Sequence, residues 1–143
     1  MQRIIVIDGQ GGGIGSAVIR KLREAMGDAV EIIALGTNAI ATAQMLKAKA
    51  NRGASGENAI VHSVRDADAI VGSVAILMAN AMMGELTPKM AMAIADSRPK
   101  KFLLPLSQEN ITIAGVSKEP LPHLIDALIE QVRQASGRHD GNA

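Results

Sequence analysis

The chain has 143 residues, with 15 Lys or Arg against 14 Asp or Glu and a formal net charge of +1. That balance leaves no electrostatic footprint for nucleic acid or for an anionic membrane surface. There is no cysteine, tyrosine or tryptophan, and Phe102 is the one phenylalanine. These absences exclude disulfides, thiolate metal sites, a cysteine nucleophile, a tyrosine proton donor and an aromatic platform for bases. The length suits one domain that buries about two-thirds of the surface its unfolded chain exposes.

The opening MQRIIVIDG carries one arginine and a short apolar run ending in an aspartate, so it predicts a buried first strand over Arg3–Asp8 and not a secretory leader. With no long apolar span, this points to a cytoplasmic protein. After the glycines, Ile14, Ala17, Val18, Leu22, Ala25 and Met26 fall on one helical face, which Gly27-Asp28 ends. Val30–Leu35 is a second buried strand, and Gly36-Thr37-Asn38 supplies the cap for a helix reaching Ala50. Asn51–Glu57 reads as a glycine-rich connection, and NAIVHSVRDA fits a short helix with Ser55 as N-cap and Val61, Val64 and Ala67 inward, or a strand through Ile60, His62 and Val64; the helix is favoured because DADAIVGS directly after it makes the better strand. VAILMANAMMG predicts a helix ended by Gly84, and LTPKMAMAIADS another, with Thr87 as N-cap and Pro88 at its first position. KKFLLPL and NITIAGV are two further apolar strands, joined by too few residues for a parallel crossover, so they predict an antiparallel hairpin or one bent strand. Leu121, Leu124, Ile125, Leu128, Ile129 and Val132 make the last amphipathic helix, and a polar tail follows from Ser136.

The expected architecture is α/β: a single domain over residues 1–136 with a mostly parallel sheet, helices on both faces and a C-terminal strand pair that is antiparallel, then a flexible tail over 137–143. In such sheets ligands sit beyond the carboxyl ends of the strands, where the strand order switches.

The first strand runs into IDGQGGGIG, with Gly9, Gly11, Gly12, Gly13 and Gly15 ahead of a helix. This arrangement aims backbone N–H groups and the positive end of a helix dipole at one place, which suits a phosphate or pyrophosphate. The lysine and hydroxyl residue of a P-loop are absent. Gly9, Gly13 and Gly15 are spaced G-x-x-x-G-x-G, and this stretch resembles the cofactor loop of short-chain dehydrogenases. The resemblance implies that Gly9, Gly13, Ile14 and Gly15 line the adenosine pyrophosphate of NAD(P). It covers only the first strand, loop and helix. The Tyr-x-x-x-Lys pair on which that family's activity depends is missing, and where the family often places an acid or an arginine after the second strand, this chain has Gly36-Thr37-Asn38. Over most of its length, through VIDGQGGGIG, EIIALGTNAIATAQMLKA, GENAIV and GELTPKMAMAIA, the chain resembles a bacterial family defined as domain of unknown function 3842. That resemblance implies a Rossmann-like three-layer fold and supplies no activity.

The candidate binding residues are therefore Gly9, Gln10, Gly11, Gly12, Gly13, Ile14, Gly15, Gly36, Thr37, Asn38, Gly72 and Ser73, with Ser107-Gln108-Glu109-Asn110 at the same sheet edge. The ligand they suit is phosphate-bearing: NAD(P) or another adenine nucleotide. Asp8 is a contact to a ligand hydroxyl, a Mg²⁺ carboxylate, a phosphoacceptor, or an aspartate that fixes the loop through its N–H groups. Glu57 is a general base, a ribose ligand or part of a capped turn, and His62 a catalyst or a packed neighbour with no partner set for a metal. Met78, Met82, Met83, Met90 and Met92 are adaptable core or the face of a homo-oligomer. The expected function is binding or sensing of a nucleotide. Two alternatives stand beside it: a minimal NAD(P)-dependent oxidoreductase or a transferase using Asp8, Glu57 or His62, and an interaction subunit using the methionine-rich helices.

Overall fold

Ile4-Ile5-Val6-Ile7 is divided between two cores: Ile4 and Val6 join one, Ile5 and Ile7 the other, as the two-residue period of a strand requires. Each such side chain contributes about 1.5–3 kcal/mol when fully buried, so this strand, β1 (Gln2–Asp8), anchors both. The computed structural model describes residues 2–106 and 110–141, with side chains through Ser136. Five parallel strands lie in the order β3 (Arg52–Ser55), β2 (Val30–Gly36), β1, β4 (Ala69–Ser73), β5 (Lys100–Leu104).

One face is covered by α1 (Gly13–Met26), α2 (Ala39–Lys47) and α5 (Leu121–Gly141), which bury Val18, Leu22, Met45, Ile125 and Leu128 with Ile4 and Val6. The other is covered by α3 (Glu57–Ser63) and α4 (Pro88–Asp96), whose Ile60, Met90 and Ile94 pack with Ile5 and Ile7. The result is the expected three-layer α/β domain. The chain builds outward from β1 to β3, then crosses back to β4 on the opposite side of β1. The strand order therefore switches between β1 and β4, where parallel sheets open a crevice at their carboxyl ends.

Four expectations are corrected. The C-terminal antiparallel pair is not seen among the described residues. KKFLL pairs only with β4, in parallel, and residues 110–116 lie outside any strand with Ile111, Ile113 and Val116 exposed. Pro105, which lacks a backbone donor, follows β5, and left-handed Gly115 (φ 84°) breaks the extended run. The connection after α2 contains a strand, β3, whose four residues are all exposed. An edge strand needs no apolar face, so hydrophobic patterning does not mark it. The N-cap of α3 is Gly56, and the Ser55 hydroxyl instead bonds the Thr42 hydroxyl at 2.7 Å. Finally, VAILMANAMMG is not a helix. Ser73 caps a single 3-10 turn at Val74–Leu77, and then Asn80, Met82 and Met83 adopt left-handed φ of 68°, 58° and 58°. Thr87 does cap α4, accepting from the Met90 N–H at 3.2 Å with Pro88 in the first turn.

Candidate functional site

The carboxyl ends of three strands meet in register, Asp8 beside Gly36 and Gly36 beside Ser55. From β1 the chain turns sharply, the Gly12 N–H donating to the Gly9 carbonyl at 2.9 Å, and enters α1 through left-handed Gly12 (φ 74°). Asp8 is 8% exposed, and its carboxylate accepts from the Gly9 N–H at 2.8 Å and the Gly15 N–H at 2.7 Å. It thus locks the turn from inside. Burial pushes its pKa up, while the loop N–H groups at Gly15, Gly9 and Ile14 oppose that rise and the nearby Glu85 charge adds to it.

The five glycines divide into two kinds. A Cβ on Gly12 would stand 2.8 Å from the Ala41 carbonyl, one on Gly15 would meet the Met45 sulfur at 2.6 Å, and one on Gly9 would meet Thr37 Oγ1 at 2.5 Å and the Met82 sulfur at 2.6 Å. Those three are required by the protein's own packing. Gly11 and Gly13 are exposed and need no left-handed conformation, and among the described residues nothing beyond their chain neighbours and the backbone of α1 lies within 4 Å of an added Cβ. No contact among the described residues requires them to be glycine.

The loop after β2 completes the crevice. The Thr37 N–H donates to the Asp8 carbonyl at 3.0 Å, and Asn38 caps α2 through the Ala41 N–H at 2.8 Å. Above them lies Glu85, to which the sequence gives no role. Its Oε1 accepts from Gln10 N–H at 2.9 Å, Thr37 Oγ1 at 2.6 Å and Asn38 Nδ2 at 2.8 Å, and these bonds draw its pKa down, Thr37 first. No ion pair reaches it among the described residues. The only sequence signal for Glu85 is an acid shortly before the Thr87 cap, in a segment that must return over the carboxyl edge of the sheet.

The remaining candidates are placed apart. Glu57 accepts from Thr87 Oγ1 at 2.6 Å and so joins α3 to the start of α4. His62 is exposed beside a shallow cavity of about 340 Å³ with Arg52 and Ser63. No hydrogen bond among the described residues links Asp8, Glu57 and His62. Gly72 lets β4 approach β1 closely, its absent Cβ lying 2.9 Å from the Ile7 carbonyl, and buried Ser73 accepts from the Ala75 N–H at 3.2 Å. Of Ser107-Gln108-Glu109-Asn110, the first three lie outside the described residues, and Asn110 is exposed. Met90 is core, Met78 and Met82 pack against the same cluster, and Met83 and Met92 are exposed.

Among the described residues no group of three or more His, Cys, Asp or Glu is placed to hold a metal ion, and no helix is long and apolar enough to cross a membrane. A comparison with curated proteins gives no match. The model of the family described as Domain of unknown function (DUF3842) matches residues 3–137, almost the whole sequence, and the chain belongs to that family.

Proposed function

We propose that the protein binds a nucleotide or dinucleotide of the NAD(P) type at the crevice above Gly9–Gly15, in a binding or sensing role. The observation that carries this reading is the open space over Gly11 and Gly13. Two exposed glycines with ordinary φ stand at the start of α1, where the fold itself tolerates side chains. A ligand backbone lying against the loop is what would exclude a Cβ there, and the Gly13 N–H, the one donor of the first turn of α1 with no partner among the described residues, favours its phosphate. Gly11 and Gly13 would hold the pyrophosphate, with Thr37 and Asn38 on the ribose side. Asp8, buried and committed to the loop N–H groups, serves as the brace of this cradle.

The test exploits that tolerance. Gly13→Asp places its Cβ in open space and an acid in the first turn of α1, where it stabilises the helix by about 0.3–1 kcal/mol. The variant should fold as well as the parent yet repel a phosphate. Thermal unfolding against NAD, NADP, FAD, ATP, ADP, AMP, GTP and phosphosugars should show one class that stabilises the parent by about 2.7 kcal/mol at a hundredfold excess over Kd, and not Gly13→Asp. No shift with any compound defeats the reading.

A further inference from the structure

We infer that Glu85 is the residue that reads the ribose, so that this crevice takes an adenine nucleotide with a free 2′-hydroxyl and rejects one bearing a 2′-phosphate. The inference rests on the nucleotide reading above and adds its specificity. In dinucleotide sites of this topology a carboxylate near the end of the second strand accepts from the ribose hydroxyl, whereas an arginine there accommodates the 2′-phosphate. Here β2 ends in Gly36 followed by Thr37-Asn38, with neither group. The carboxylate arrives instead from the segment between β4 and α4, and is fastened at that position from both sides, by Gln10 of the glycine loop and by Thr37 and Asn38 after β2.

Its two oxygens are unequal. Oε1 holds all three donors, and Oε2 has none among the described residues. Glu85 is half-buried and no cation lies within ion-pair distance among the described residues. A fixed carboxylate with one free oxygen and no counter-ion accepts a hydroxyl readily and opposes a second phosphate. Gly9 supports the same arrangement, since its missing side chain leaves the room that Thr37 and Glu85 Oε1 occupy.

The experiment is calorimetric titration of the full chain with NAD, NADP, ADP and 2′-deoxy-ADP, in the parent, Glu85→Gln, Glu85→Asp and Gly13→Asp. The parent should bind NAD over NADP, and ADP over 2′-deoxy-ADP, by about tenfold or more, the value of a hydrogen bond to a charged group. Glu85→Gln, which keeps an oxygen for the three donors, should collapse both ratios toward one. Glu85→Asp keeps the charge and should still reject NADP while binding NAD more weakly, which preserves the test if the glutamine variant unfolds. Equal parent affinities for NAD and NADP, or ratios unchanged in Glu85→Gln while Gly13→Asp abolishes binding, overturn the role of Glu85 alone. Absence of any nucleotide binding to the parent, or binding that Gly13→Asp leaves intact, overturns the nucleotide reading and this inference together.

Discussion

The two ends of the sheet treat charge in opposite ways. At the amino edge, Arg3 pairs with Glu31 at 2.5 Å and Asp66 at 2.8 Å, and Arg52 reaches Glu31 at 3.6 Å. Arg23 donates there to the carbonyls of Lys49, Gly27 and Val30 and to the Asn51 side chain. Positive and negative groups cancel one another in solvent. At the carboxyl edge, Asp8 and Glu85 are held by backbone N–H groups, a hydroxyl and an amide, with no counter-ion among the described residues. Hollows of about 520 Å³ around Arg3 and Arg98 and about 650 Å³ by Phe102 and Lys100 lie at the amino edge. Neutral donors spent on uncompensated carboxylates support the site proposed above, whereas matched ion pairs are what a solvated surface carries.

The sharpest break in this comparison is Gly12→Ala. It adds left-handed strain of about 1–2 kcal/mol to a collision with the Ala41 backbone, where overpacking costs about 1–3 kcal/mol. A loss of about 3 kcal/mol in denaturant unfolding is expected. Gly13→Ala, one residue on, should stay within about 0.5 kcal/mol of the parent. Equal losses at both positions would show that the loop's glycines all serve packing.

Asp8→Ala should cost about 2 kcal/mol, because it strands the Gly9 and Gly15 N–H groups in a buried loop. The pH dependence of stability separates Asp8 from Glu85. Glu85, with its pKa drawn down, contributes stability above its ordinary range that is lost as pH falls through the folded value. Asp8, with its pKa raised, contributes in the reverse sense, with stability fully present below its ordinary range and lost as pH rises through the folded value. Glu85→Gln should therefore flatten the acid limb of a stability curve, and Asp8→Asn should steepen it. Opposite slopes would refute the assigned shifts. At the amino edge, Arg23→Lys should cost about 1 kcal/mol, since an ammonium cannot span the carbonyls that the guanidinium fork reaches together.

What the sequence revealed follows from where burial dominates. The apolar runs of β1, β2 and β4 are covered on both faces, so hydrophobicity alone placed them, and the capping chemistry of Asn38 and Thr87 placed α2 and α4. The strand Arg52–Ser55 escaped because it is exposed and held by one neighbour. Val74–Gly84 misled because its apolar content is real, with Ala75, Ile76 and Ala81 buried, while its backbone is set by turns that patterning does not register. The glycine loop was legible as a motif, but its division into packing and open glycines depends on contacts with Thr37, Ala41, Met45 and Met82, all distant in sequence. Glu85 illustrates the limit most clearly. It stands 48 residues beyond Thr37, and only the folded segment brings the two within hydrogen-bond reach.

The smallest expected effect concerns that segment itself. Among the described residues, three of the five non-glycine positions with positive φ, Asn80, Met82 and Met83, lie in the stretch that carries Glu85 over the crevice, and a fourth, Gln10, lies in the loop beneath. Strain of this kind gathers where a chain is held in place for function. Met83 is 96% exposed, so Met83→Gly sacrifices no packing. It relieves about 1–2 kcal/mol of left-handed strain against about 0.5–1 kcal/mol of added chain entropy in the unfolded state, for a net gain of about 0.5 kcal/mol. Met92 is also exposed, at 73%, but lies in α4, where glycine should lose about 0.8 kcal/mol. Opposite signs for two exposed methionines, read from shifts in the urea midpoint, would locate the strain in the crevice segment; equal losses would mean that Met83 is at ease and that Glu85 is positioned by its hydrogen bonds alone.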